Sequence, residues 1–167
     1  MESESKNKDL EEKKKKLILG GVLAGLLMIL SFKEMLGLFK GMSVETVNLI
    51  SFLLATPVQF FIGGQYMESA WKALKHRLAN MDTLIAGGTL AAYLFSVVAT
   101  FFPQIFESSG LEPHVYYEVA AAIIVLIGLG KFLEARAKGQ ASEAIKKLMG
   151  LAAKTARVKR GREFIEV

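Results

Sequence analysis

The sequence predicts an all-α membrane protein with four transmembrane helices, the second of them kinked, followed by a short β segment that opens another domain. Three observations carry that prediction. Hydrophobic residues, 52% of the 167, run together in stretches approaching the roughly 20 residues needed to cross a bilayer, whereas a soluble domain would interrupt them every few positions. Pro57 and the pair Gly63-Gly64 place helix-breaking residues inside one of those runs. The basic residues, finally, sort to one side of a four-span arrangement.

Residues 1–16 mix both charges with almost no apolar side chains and read as a solvated helical tail. The first span covers about 17–38. No small-residue cleavage site follows it, so it reads as a retained helix and not as a signal peptide. Within it Gly21 and Gly25 form a GxxxG spacing on which another helix can approach closely, although glycine is also simply common in membrane helices.

The second span, about 44–64, ends at the double glycine. Beyond it, over 65–78, Tyr66, Ala70, Trp71, Leu74 and Leu78 follow helical spacing while Lys72, Lys75, His76 and Arg77 fall elsewhere. That pattern predicts an amphipathic helix at the membrane interface, with an ordinary basic loop as the alternative. The third span covers about 83–106, with Gly87, Gly88, Ala91 and Ala92 as a small-residue face. The fourth covers about 115–133 and continues as a charged helix to residue 149. From 150 on, strand-like runs either side of Arg160-Gly161 predict the first hairpin of a separate domain.

The net charge of +5 and pI near 9.4 would fit nucleic-acid binding if the basic residues formed one patch. They do not. Six lie in the tail 1–16, three in the link 71–82 and ten in 131–167, out of 21 in all. This asymmetry predicts a multi-pass protein with both termini cytosolic and removes the main support for a nucleic-acid partner. Without a cysteine there is no disulfide, no CxxC metal site and no thiol nucleophile. Metal chemistry must use Met, His or carboxylates.

Ionisable groups at the ends of apolar spans are costly there and are functional candidates by default. Glu118 sits at one end of the fourth span and Glu134 at the other, sixteen residues on, or about 24 Å along a helix. An ion pair with Lys131 or Lys138 is the competing role for Glu134. Met81 reads equally as packing.

The strings NMDTLIAGGTLAAYLFS, YYEVAAAIIVLIGLGKFLEARAKGQASEAIKKLMGL and KTARV, in that order, resemble the heavy-metal-transporting P-type ATPases, most closely the copper branch. The resemblance covers about 52–167. It implies two extra helices before the common core, the second kinked at Gly63-Gly64 and ending in a cytosolic platform where Lys72, Lys75 and Arg77 face an acidic copper donor protein. It also implies that Met81 and Glu134 form the entry point for copper(I) and that Glu118 lies on the exit path.

A soft thioether suits copper(I), and a nearby carboxylate favours a cation. The family's Cys-Pro-Cys, DKTG and TGE motifs do not occur among the 167 residues. The chain is therefore expected to be a truncated portion of a plasma-membrane pump, with 150–167 beginning its actuator domain. It should have no catalytic residue of its own, with ATP and magnesium used only by the full-length protein. Transport of silver, zinc or cadmium, or a four-helix membrane scaffold without transport, are the alternatives.

Overall fold

The computed structural model describes residues 2–32, 43–108, 110, 113–150, 157–160 and 163–166. Its elements are α1 (Glu2–Ser31), α2 (Val44–Pro57), a π-helical segment (Val58–Ile62), α3 (Gly64–Lys75), α4 (Met81–Phe101), the single turn α5 (Gln104–Glu107), α6 (Tyr117–Gly150), β1 (Arg157–Arg160) and β2 (Glu163–Glu166). The chain divides within α6 into a unit that extends to Phe132 and one that begins at Leu133.

Among the described residues, Val44–Ile62 and Met81–Phe101 are long and apolar enough to cross a bilayer. The other two expected spans are less clear-cut. In α1 the uncharged run starts only at Leu17, behind four lysines, and in α6 it is bounded by Glu118 and Lys131. The outer part of the first expected span, 33–38, lies outside the described residues.

The second helix is interrupted where its sequence predicts. Pro57 has no N–H to give the preceding turn, and after it the ladder widens to a π turn, closed by the Gly63 N–H donating to the Val58 carbonyl at 2.9 Å. The two glycines there are not equivalent. A Cβ on Gly63 would lie 2.4 Å from the Gln59 carbonyl oxygen and 2.9 Å from Ile124 Cδ1, whereas one on Gly64 would meet nothing within 4 Å.

The close approach of α1 is at Gly20, not at Gly21 or Gly25. A Cβ on Gly20 would come within 2.6 Å of Ile62 Cδ1 and 3.2 Å of Val125 Cγ2, while neither of the other two has a neighbour within 4 Å. Helical spacing explains the difference: Gly20, Leu23, Ala24 and Leu27 form the face that packs on the core, and the GxxxG pair lies off it. Gly87 and Gly88 likewise have open space around them. The face that α4 buries instead carries Ile85, Ala86, Thr89, Tyr93 and Ser96.

Helix ends also differ from expectation. α4 begins at Met81, two residues early, because Asn80 caps it, and stops at Phe101 because Pro103 forces Phe102 out of the helical region (φ −132°, ψ 55°). The helix expected over 65–78 is α3, Gly64–Lys75. In the second unit β1 and β2 pair antiparallel, with Val158 opposite Ile165 and Lys159 opposite Phe164.

Gly63→Ala is expected to lower the stability of the detergent-solubilised chain by about 2 kcal/mol, through overpacking against a backbone carbonyl that cannot yield. Gly64→Ala should leave it unchanged or raise it slightly. Thermal unfolding followed by circular dichroism checks both, and equal behaviour of the two variants would contradict the assignment of Gly63 as the tight position.

Candidate functional site

Of the residues singled out by sequence, Lys75, Arg77 and Met81 lie at the turn between α3 and α4. Asn80 closes a capping box there: its side-chain oxygen accepts from the Thr83 N–H at 2.9 Å, and its own N–H donates to Thr83 Oγ1 at 3.3 Å. Two of the orphan donors of the helix start are thereby satisfied. This fixes the backbone of Met81, the first residue of α4, while its side chain stays 59% exposed.

The next residue, Asp82, was not among the predicted site residues and is the most heavily engaged group of the region. Its carboxylate accepts from Lys131 Nζ of α6 at 2.5 Å. Lys131 also lies over the Tyr66 ring of α3, 4.7 Å from its centroid. One lysine thus ties three helices together. Two opposite charges terminating adjacent apolar runs, in NMDTL and LGKFLE, were the sequence signal for it. Burial, and after it the charge of Asp82, push the pKa of the Tyr66 hydroxyl above the usual phenol range, so the phenol is neutral beside the pair.

Glu134 pairs with Lys138 one turn on, at 2.6 Å, with both side chains exposed. Of the two partners considered for it, Lys131 is occupied by Asp82. Met81 belongs to the first unit and Glu134 to the second. Glu118 lies in the first turn of α6, half-buried, at the other end of that helix's apolar run from Lys131. Among the described residues no three His, Asp or Glu side chains converge as a metal site.

On α3, Tyr66 and Ala70 face the core. Lys72 pairs with Glu68 at 2.5 Å, a hydrogen bond and charge that hold the Glu68 carboxyl below its ordinary range. Lys75 lies 5.8 Å from the Trp71 ring centroid. Trp71, Leu74 and Leu78, expected on an apolar face, are all exposed.

No family model matches the chain. The "Probable copper-transporting ATPase PacS" of Synechocystis is 47% identical over 151 residues, which cover 89% of this chain and 20% of that protein. The "Copper-exporting P-type ATPase" of Bacillus subtilis is 52% identical over 117 residues, 70% of this chain and 14% of that protein. A protein of the same description from Staphylococcus aureus is 41% identical over 157 residues, 93% of this chain and 19% of its own length. The chain is a homologue of copper-transporting P-type ATPases. It spans about a fifth or less of the length of these relatives.

In this copper-ATPase homologue α3 ends in a Schellman motif. The Leu78 N–H reaches the Ala73 carbonyl at 3.0 Å and the Arg77 N–H reaches the Leu74 carbonyl at 2.9 Å. The residue at the left-handed position is Arg77, with φ +56°, where glycine is usual. A side chain there costs about 1 kcal/mol. Arg77→Gly is therefore expected to raise thermal stability by about that amount while Arg77→Ala does not, as measured by unfolding midpoints in detergent. A gain with alanine would show that charge, and not backbone conformation, sets the cost.

Proposed function

We propose that the chain is the opening membrane portion of an ATP-driven copper(I)-exporting P-type ATPase, supplying the platform, the entry point and part of the ion path. The observation that carries this reading is the exposed Met81 thioether, held on a capped helix start beside a carboxylate already engaged by a lysine. That leaves sulfur as the open donor at this helix end, and sulfur suits a soft monovalent cation. Glu134 supplies charge one turn beyond Lys131, and Glu118 stands on the exit path at the far end of the same run.

In this reading α1 and α6 span the bilayer as the other two helices do, both termini are cytosolic, and Lys72, Lys75 and Arg77 receive an acidic copper donor. The β1–β2 hairpin begins the actuator domain. ATP and magnesium act on parts of the pump outside these residues, so the 167-residue polypeptide by itself does not hydrolyse ATP. The chemistry at each point is modest: a single thioether and a single carboxylate hold copper(I) weakly, as a transfer station requires.

The four-span topology places Ser43 and Ser109 outside. Because the chain has no cysteine, Ser43→Cys and Ser109→Cys should each become reactive to an impermeant maleimide in intact cells. Protection of either position would remove a span.

The entry point is tested in a chimera in which this chain replaces the matching segment of the Bacillus subtilis relative. Met81→Leu keeps volume and removes sulfur; Glu134→Gln keeps shape and removes charge. Each should raise the copper concentration needed for half-maximal turnover by roughly tenfold, with the saturated rate little changed. Parental behaviour of both variants at limiting copper would return Met81 to packing and Glu134 to a helix-surface ion pair.

A further inference from the structure

The Asp82–Lys131 pair is not used by the reading above, although it adjoins both of the residues that reading depends on. Asp82 follows Met81 in the first turn of α4, and Lys131 precedes Glu134 by one turn on the continuous helix α6. The pair is partly shielded, with 16% of the Asp82 side chain and 38% of the Lys131 side chain exposed. It is also held from a second side: the ammonium rests on the face of Tyr66, which is itself buried. A surface ion pair between mobile side chains contributes little. This one is anchored by a buried ring, and its groups come from three helices.

We infer that Lys131 is a positioning residue for copper reception. By gripping Asp82 it fixes the first turn of α4 against α6 and α3, and so fixes the backbone position from which the Met81 sulfur projects. The inference rests on the proposed role of Met81 and deepens it.

Electrostatics alone gives the opposite expectation, and this makes the idea testable. Removing a positive charge close to a cation site should tighten cation binding. If Lys131 acts by positioning, Lys131→Leu, which keeps most of the aliphatic stem, removes the ammonium and adds no donor for copper(I), should weaken it.

The experiment uses the 167-residue chain in nanodiscs. Copper(I) affinity is measured by competition with a chromogenic chelator, and helix geometry by the distance between spin labels at Leu84→Cys on α4 and Leu126→Cys on α6. Both label sites are exposed, and the parent has no cysteine to interfere. Lys131→Leu and Asp82→Asn are each expected to broaden the label distance distribution and to weaken copper(I) binding roughly tenfold. The exchanged pair, Asp82→Lys with Lys131→Asp, should restore both readouts to near the parental values.

Tighter or unchanged copper binding in Lys131→Leu, with binding still weakened by Met81→Leu, overturns the positioning role and leaves the entry point standing. If Met81→Leu also leaves binding unchanged, the entry reading itself fails, and a broadened distance distribution in Lys131→Leu would then mark the pair as a structural tie only. An unbroadened distribution in both single variants would overturn the inference whatever the affinities.

Discussion

A helix in apolar surroundings cannot leave its backbone groups unpaired, and this constraint governs how the second helix turns into the platform. Pro57 removes one N–H from the ladder, and in hydrocarbon no water replaces it. The π turn at Val58–Ile62 keeps the chain helical and hydrogen-bonded through the break, ending in the bond from Gly63 to Val58. Only glycine fits at its close, because the widened turn brings position 63 onto the Gln59 carbonyl and against Ile124 of α6. From that point α3 starts on a different course, with Tyr66 directed into the core and Trp71 outward. The grip of Lys131 on Asp82 depends on this, since Tyr66 reaches it from α3.

The same constraint applies to side chains between α2, the π segment, α4 and α6, where polar groups pair with one another, Gln59 Oε1 being buried without a partner. Thr56 Oγ1 and the Tyr93 hydroxyl lie 2.8 Å apart, Gln59 Nε2 donates to Thr89 Oγ1 at 3.3 Å, and Thr100 meets the Tyr117 hydroxyl at 3.0 Å. Phe52, Tyr93 and Tyr117 pack around this row as edge-on and stacked rings. Apolar contacts alone would let two such helices slide, because one leucine surface packs about as well as the next. Hydrogen bonds between named partners set a single register. The π turn contributes here as well, since Gln59 lies on it.

Much of this was legible in the sequence, and what was not shares a cause. The apolar runs, the interruption near Gly63, the amphipathic character of α3 and the hairpin after residue 150 all follow from local order along the chain, which periodicity and glycine placement report directly. Which glycine of α1 packs was not readable, because Gly20, Gly21 and Gly25 differ only in azimuth and the azimuth is set by Ile62 and Val125 on other helices. Asp82 and Lys131 were likewise passed over. They are 49 residues apart, and each alone is an unremarkable charge at the end of a span. The pair exists only once α4 and α6 are side by side, and the lysine that was considered for Glu134 is taken by a carboxylate outside its own helix.

Charge around Met81 is therefore close to balanced. The start of α4 carries the positive end of the helix dipole, Asp82 in its first turn offsets that, and Lys131 offsets Asp82 in turn. A free carboxylate at this position would attract every cation present, including the abundant hard ones that prefer oxygen donors. With the carboxylate engaged, what remains accessible is a neutral thioether, which discriminates by softness and not by charge. In the proposed reading this trades affinity for selectivity.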